Sequence, residues 1–140
     1  MLYHLSVFLE NNPGKLAKIT KILADNNINL SAMSLANTGD FGVMKLLVDN
    51  PDKAYDVLKQ NNLTVTKRQI VAVVIDNVSG SFNILLTKLT EKNINIEDCY
   101  GFLLGDGKTA AIVLETETKN IEEILKNMGF DVLTADKIYK

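Results

Sequence analysis

The chain has 140 residues, 46% of them hydrophobic and 23% charged, with a formal net charge of −2 and a single cysteine, Cys99. That is enough for one ordinary domain or two very small ones. It excludes a run approaching the ~20 apolar residues of a membrane span, a disulfide or thiolate metal cluster, and, with Arg68 the only arginine, the cationic surplus needed on a phosphate backbone.

Residues 3–10 alternate, with Tyr3, Leu5, Val7 and Leu9 on one face, the period of a strand with one buried side. A helix follows, with Pro13 suited to its first turn and apolar Leu16, Ile19, Ile22 and Leu23 at helical spacing. Residues 28–36 and 42–49 read as two strands joined by a turn at Gly39-Asp40. A second helix begins near Asn50-Pro51, and a strand over 63–69 closes the half.

The same order then recurs. Shifting the sequence by 66 positions, the distance from Gly14 to Gly80, places Val7 on Val73, Asn11 on Asn77, Leu23 on Leu89 and Asn27-Ile28-Asn29 on Asn93-Ile94-Asn95. Beyond residue 50 the offset becomes 67, with Val57-Leu58 on Ile124-Leu125, and one inserted residue is enough to explain the slip. The second copy has helical stripes at Phe82, Leu85, Leu86 and Leu89 and at Ile121, Ile124, Leu125 and Met128. Its last strand is expected over 130–138.

Two βαββαβ halves imply an α+β fold: two ferredoxin-like repeats, each an antiparallel sheet with both helices on one face. The other sheet face carries His4, Ser6 and Phe8 in the first half and Ala72, Val74 and Asp76 in the second, which is too apolar to face water comfortably. A half of this size buries only ~60% of its unfolded surface. Leu63 to Ile75 reads as nearly one extended segment with no Gly/Ser/Pro linker. Domains at 1–69 and 70–140, packed side by side, are therefore expected.

The run from Leu5 to Leu16, containing Glu10-Asn11-Asn12-Pro13-Gly14, followed by Asn27-Ile28-Asn29-Leu30, closely resembles the ACT domain signature. It is most similar to the ACT domains of the acetolactate synthase small subunit and of phosphoglycerate dehydrogenase. Asp76-Asn77-Val78-Ser79-Gly80 and Asn93-Ile94-Asn95-Ile96 repeat the pattern, with Ser79 in place of the proline. As a whole the chain resembles the stand-alone tandem ACT proteins.

The resemblance implies a non-catalytic regulatory sensor, without cofactor or metal, that binds a free amino acid at the interface between ACT modules. It implies ligand contacts from Asn11 and Asn29, and again from Asn77 and Asn95. Around them would lie the loop residues Asn12, Pro13, Gly14, Lys15 and Leu16 in the first half, and Val78, Ser79, Gly80 and Ser81 in the second. The chemistry fits: a zwitterion needs donors and acceptors, helix N-terminal amides supply donors, and asparagine offers both. A histidine that contacts ligand in some of these sensors corresponds here to Leu9 and Ile75. Asparagine at a strand–helix turn also serves as a cap or turn residue with no ligand, and that reading stands beside the first. With Ser79 replacing proline, one working site and two remain open.

A homodimer, or a partner enzyme of amino-acid metabolism, would receive the signal in the cytoplasm, with no nucleic-acid or membrane partner. The alternatives are a regulatory subunit of acetolactate synthase, a purely structural dimerisation module, and a small acyl-phosphate hydrolase. The hydrolase reading lacks the first-loop arginine it needs. His4 is expected in a structural or surface role, Cys99 as a partly buried hydrophobe at Met33's position, and Phe8, Phe41, Phe82 and Phe102 in core or interface roles.

Overall fold

The computed structural model describes residues 1–138. In chain order the elements are β1 (Leu2–Glu10), α1 (Lys15–Asp25), β2 (Leu30–Thr38), β3 (Phe41–Val48), α2 (Pro51–Gln60), β4 (Thr64–Asp76), α3 (Ser81–Glu91), β5 (Asp98–Leu104), β6 (Thr109–Glu115), α4 (Ile121–Asn127), β7 (Asp131–Val132) and α5 (Ala135–Ile138). They fall into two compact units, one built on Tyr3–Arg68 and one on Gln69–Lys137 with Met1–Leu2. The chain crosses from the first to the second inside β4, a single strand of 13 residues.

In the unit Tyr3–Arg68 the strand order is β2-β3-β1-β4, with β1 and β2 both antiparallel to β3. Leu5, Val7 and Leu9 of β1 and Met44 and Leu46 of β3 join Ile19 and Leu23 of α1 and Leu58 of α2 in one core. Alternation along β1 thus sends one face to the helices. The intervening His4 and Ser6 are buried as well, while Phe8 is 54% exposed. His4 is therefore not in a surface role. None of Phe8, Phe41, Phe82 and Phe102 enters either core.

In the second unit β4 pairs with β6 and β7, and β5 with β6, all antiparallel. Val71, Val73, Leu85, Leu89, Ile112, Leu114 and Leu125 form its core, against which Cys99 packs half-buried. Burial raises the Cys99 thiol pKa, with the Asp98 carboxylate adding to the effect.

Helix ends repeat between the units because the same stop signal repeats. Asn27 (φ 56°) and Asn93 (φ 57°) adopt the left-handed conformation just past α1 and α3, and the following amides of Ile28 and Ile94 return to Leu23 and Leu89 carbonyls. After α2 and α4 the same place is taken by Asn62 (φ 63°) and Gly129 (φ 91°).

Three expectations need correction. Pro13 lies before α1, not in its first turn, because Gly14 between them is the left-handed cap residue. The strand expected over 130–138 is only Asp131–Val132: Thr134 donates its hydroxyl to Asp136, its carbonyl accepts the Lys137 amide, and a short helix replaces the strand. The slip in repeat register is also not one inserted residue. Leu5 faces Leu46 where Val71 faces Leu114, so the offset reaches 68 in β6, through two residues added to the turn between Leu104 and Thr109. One residue is lost again before α4.

Candidate functional site

The strand–helix loop of each unit is held by the hairpin beside it. The Asn11 amide donates to Asp40 O (2.8 Å) and its side-chain Nδ2 to Gly39 O (2.9 Å). In the second unit the Asn77 amide donates to Lys108 O (2.9 Å) and Nδ2 to Gly107 O (2.7 Å). Each asparagine spends a side-chain donor on the hairpin and keeps its amide oxygen as an acceptor.

The loops then turn identically into the helices. Gly14 has φ 87°, ψ −11° and Gly80 φ 90°, ψ −13°, each capping its helix without a side-chain hydrogen bond. The Lys15 amide reaches Asn12 O (3.3 Å) and the Ser81 amide Val78 O (3.2 Å). The helical ladder starts at Lys18 and Ile84, each donating to its glycine at 3.0 Å. The amides of Leu16 and Ala17, and of Phe82 and Asn83, therefore lack intrahelical acceptors. Neither first turn carries an acidic residue. By contrast α2 has a built cap, with Asn50 accepting the Lys53 amide and Asp52 beside it.

A Cβ added at Gly14 or Gly80 would meet nothing within 4 Å, so the left-handed backbone alone selects glycine there. Replacing Pro13 by Ser79 leaves this geometry intact. Pro13→Ser is accordingly expected to cost at most about 1 kcal/mol, through the freer unfolded chain. A melting curve showing several kcal/mol lost would instead tie the loop's shape to the ring.

The second pair of asparagines sits elsewhere. Asn29 and Asn95 follow the ends of α1 and α3 and are exposed. The Asn29 amide donates to Asp49 Oδ1 and its carbonyl accepts the Asp49 amide, both at 3.1 Å. Asn95 O accepts the Thr116 hydroxyl (2.7 Å), and its Nδ2 donates to Glu97 Oε1 (3.1 Å). An 11-residue helix separates the two ends of each unit, a rise of about 16 Å. One module therefore does not bring Asn11 to Asn29, or Asn77 to Asn95. Asn12 Nδ2 is engaged by Glu10 Oε2 (2.9 Å), a local turn contact.

The two loops differ in surface chemistry. Asn12, Lys15 and Lys18 of the first have Val78, Ser81 and Ile84 as counterparts, and Val78 and Ile84 are 66% and 55% exposed. Two cavities escaped the sequence reading. One of about 600 Å³ lies in the first unit between the start of α1 and the Asn61–Thr64 turn. One of about 700 Å³ lies in the second between Gln69–Val71 and Thr116–Glu123. Neither is lined by any of the four site asparagines. Their walls come from strand, helix and turn segments far apart in sequence, none of which singly marks a site. Among the described residues no helix is long and apolar enough to cross a membrane.

A crystal structure of a protein from Bacteroides thetaiotaomicron is similar over 99% of this chain and 96% of its own, with 36% identity and a TM-score of 0.91. The regulatory subunit of aspartate kinase from Thermus thermophilus shares the fold at 17% identity, TM-score 0.68, over 91% of each chain. The aspartate kinase of Clostridium acetobutylicum does so at 20% identity and TM-score 0.56, over 91% of this chain and 32% of that one. No curated protein sequence matches. The model of the ACT domain pair matches residues 1–138. The chain belongs to the ACT domain pair family.

Proposed function

We propose that this ACT domain pair is a non-catalytic regulatory sensor of a free amino acid, with modules at 1–69 and 70–140. The observation that carries the reading is the loop built twice in the same way. An asparagine is pinned to the hairpin with its oxygen free to accept, beside an uncapped helix start behind a left-handed glycine. Such a helix start offers amide donors and partial positive charge to a carboxylate. The Asn11 or Asn77 oxygen then accepts from the ammonium group.

Because Asn11 and Asn29 lie at opposite ends of one module, the ligand would take the loop of one chain and the Asn29 or Asn95 end of a second. Binding then favours one arrangement of a homodimer over others. The signal would pass to an enzyme of amino-acid metabolism, the relation that the name of the Thermus thermophilus regulatory subunit describes for that protein.

A thermal-shift screen against the twenty amino acids tests this. A ligand at 100 times its Kd adds about 2.7 kcal/mol, which raises the melting temperature by several degrees in a chain of this size. Asn11→Ala and Asn29→Ala should each weaken the responding ligand roughly 2- to 12-fold, the worth of one hydrogen bond. No response to any amino acid, with no bound density in crystals grown with them, would sink the sensor reading.

A further inference from the structure

We propose that the first module carries a second binding crevice, beside the Asn11 loop, for a small flat anion such as an aromatic carboxylate. The crevice is the cavity of about 600 Å³ at the end of β1, within the ~300–1,000 Å³ usual for small-molecule sites. Leu9 and Ile19, both buried on the helix side of the sheet, border it.

Two phenyl rings line it and remain open to solvent: Phe8 at 54% and Phe41 at 59% exposure. Phe8 faces Val43 and Glu10 faces Phe41 across the β1–β3 pair, so the two rings are diagonal neighbours on one sheet face. At that spacing aromatic side chains reach each other, and a flat ring system can lie against both.

The charge comes from α1. Lys15 and Lys18 line the cavity, and neither forms an ion pair among the described residues. Glu10 also lines it, but its carboxylate is held by Asn12 Nδ2. Two ammonium groups stand against that one carboxylate, so the surplus is cationic and lies on the helix side. Asn62, from the α2–β4 turn, and Thr64, the first residue of β4, complete the wall with polar groups.

The second module is an internal comparison. Its positions corresponding to Phe8, Lys15, Lys18 and Phe41 are Val74, Ser81, Ile84 and Thr109. None of these is charged or aromatic, although the backbone fold is the same. The crevice chemistry therefore belongs to the first module alone and does not follow from the fold. It uses neither Asn11 nor Asn29 and shares only Lys15 with the loop residues of the amino-acid reading, so Lys18, Phe8 and Phe41 test it whether or not that reading stands.

Titration of the full chain with 2-naphthoate, followed by ¹H–¹⁵N NMR, tests the proposal. Amide shifts should centre on Lys18, Phe41, Asn62 and Thr64, and neutral 2-naphthamide should bind more weakly. Lys18→Gln and Phe41→Ser, both at exposed positions, should each weaken binding roughly five- to tenfold while the melting temperature is unchanged. Asn29→Ala should leave 2-naphthoate binding as it was. Shifts centred on Val78, Phe82 and Leu103, equal binding of the neutral amide, or less than a twofold change in both variants would each overturn it.

Discussion

Leu58→Ala and Leu125→Ala should each destabilise the fold by about 2–5 kcal/mol, the usual range for truncating a core leucine. Both side chains are 0% exposed and stand at equivalent places in α2 and α4. Each belongs to the core of its own unit and to no other. The loss combines removed apolar burial with the cavity left where the chain cannot collapse. A loss of 2 kcal/mol lowers the melting temperature by about 8 °C or more in a unit of this size. Thermal and urea unfolding followed by circular dichroism measure it. If either variant lost less than 1 kcal/mol, that helix would not be anchored as its burial indicates.

Gly14→Val and Gly80→Val act on the backbone instead. At φ near 90° an L-residue pays about 1–2 kcal/mol, and a β-branched one more. No neighbouring atom would clash with the new Cβ, so the strain is local. The loop relieves it by turning away from the left-handed conformation, which re-aims the Leu16–Ala17 or Phe82–Asn83 amides. The amino-acid response should then fall at least about tenfold for whichever module binds, as three or more charge-assisted contacts shift together. Isothermal titration of the two variants assigns the site: loss in one alone means one working module, and partial loss in both means two. Unchanged binding in both variants would remove the loops from the site.

The repeat was legible because duplication prints the same core twice. Leu23 and Leu89, Leu58 and Leu125, and Val7 and Val73 are buried pairs that the offsets had already matched. Single-residue identity was enough there, since a buried face must be apolar at fixed spacing. Hairpin length was not, because two residues added to the turn between Leu104 and Thr109 leave no mark on periodicity. The 130–138 segment misled for a related reason. Val132, Leu133 and Ile138 keep strand-like residues in view, while the Thr134 and Asp136 side chains set a helical turn. The placement of Asn11 and Asn29 at opposite ends follows directly from the intervening helix. What sequence could not supply was the crevice, whose walls come from four separate segments.

β4 contributes to both cores. The residues it gives the first core are Leu63, just ahead of it, and Val65; those it gives the second are Val71, Val73 and Ile75. All are odd-numbered. In a strand that shifts faces at every residue, the junction is thus a matter of parity. One residue inserted at Arg68–Gln69 would put the two sets out of phase, and one core would be offered the wrong side of its own strand. Two inserted residues would restore the match. A single inserted residue there would have to be taken up as a β-bulge to keep both sets in register, a demand that a loop between strands would not make.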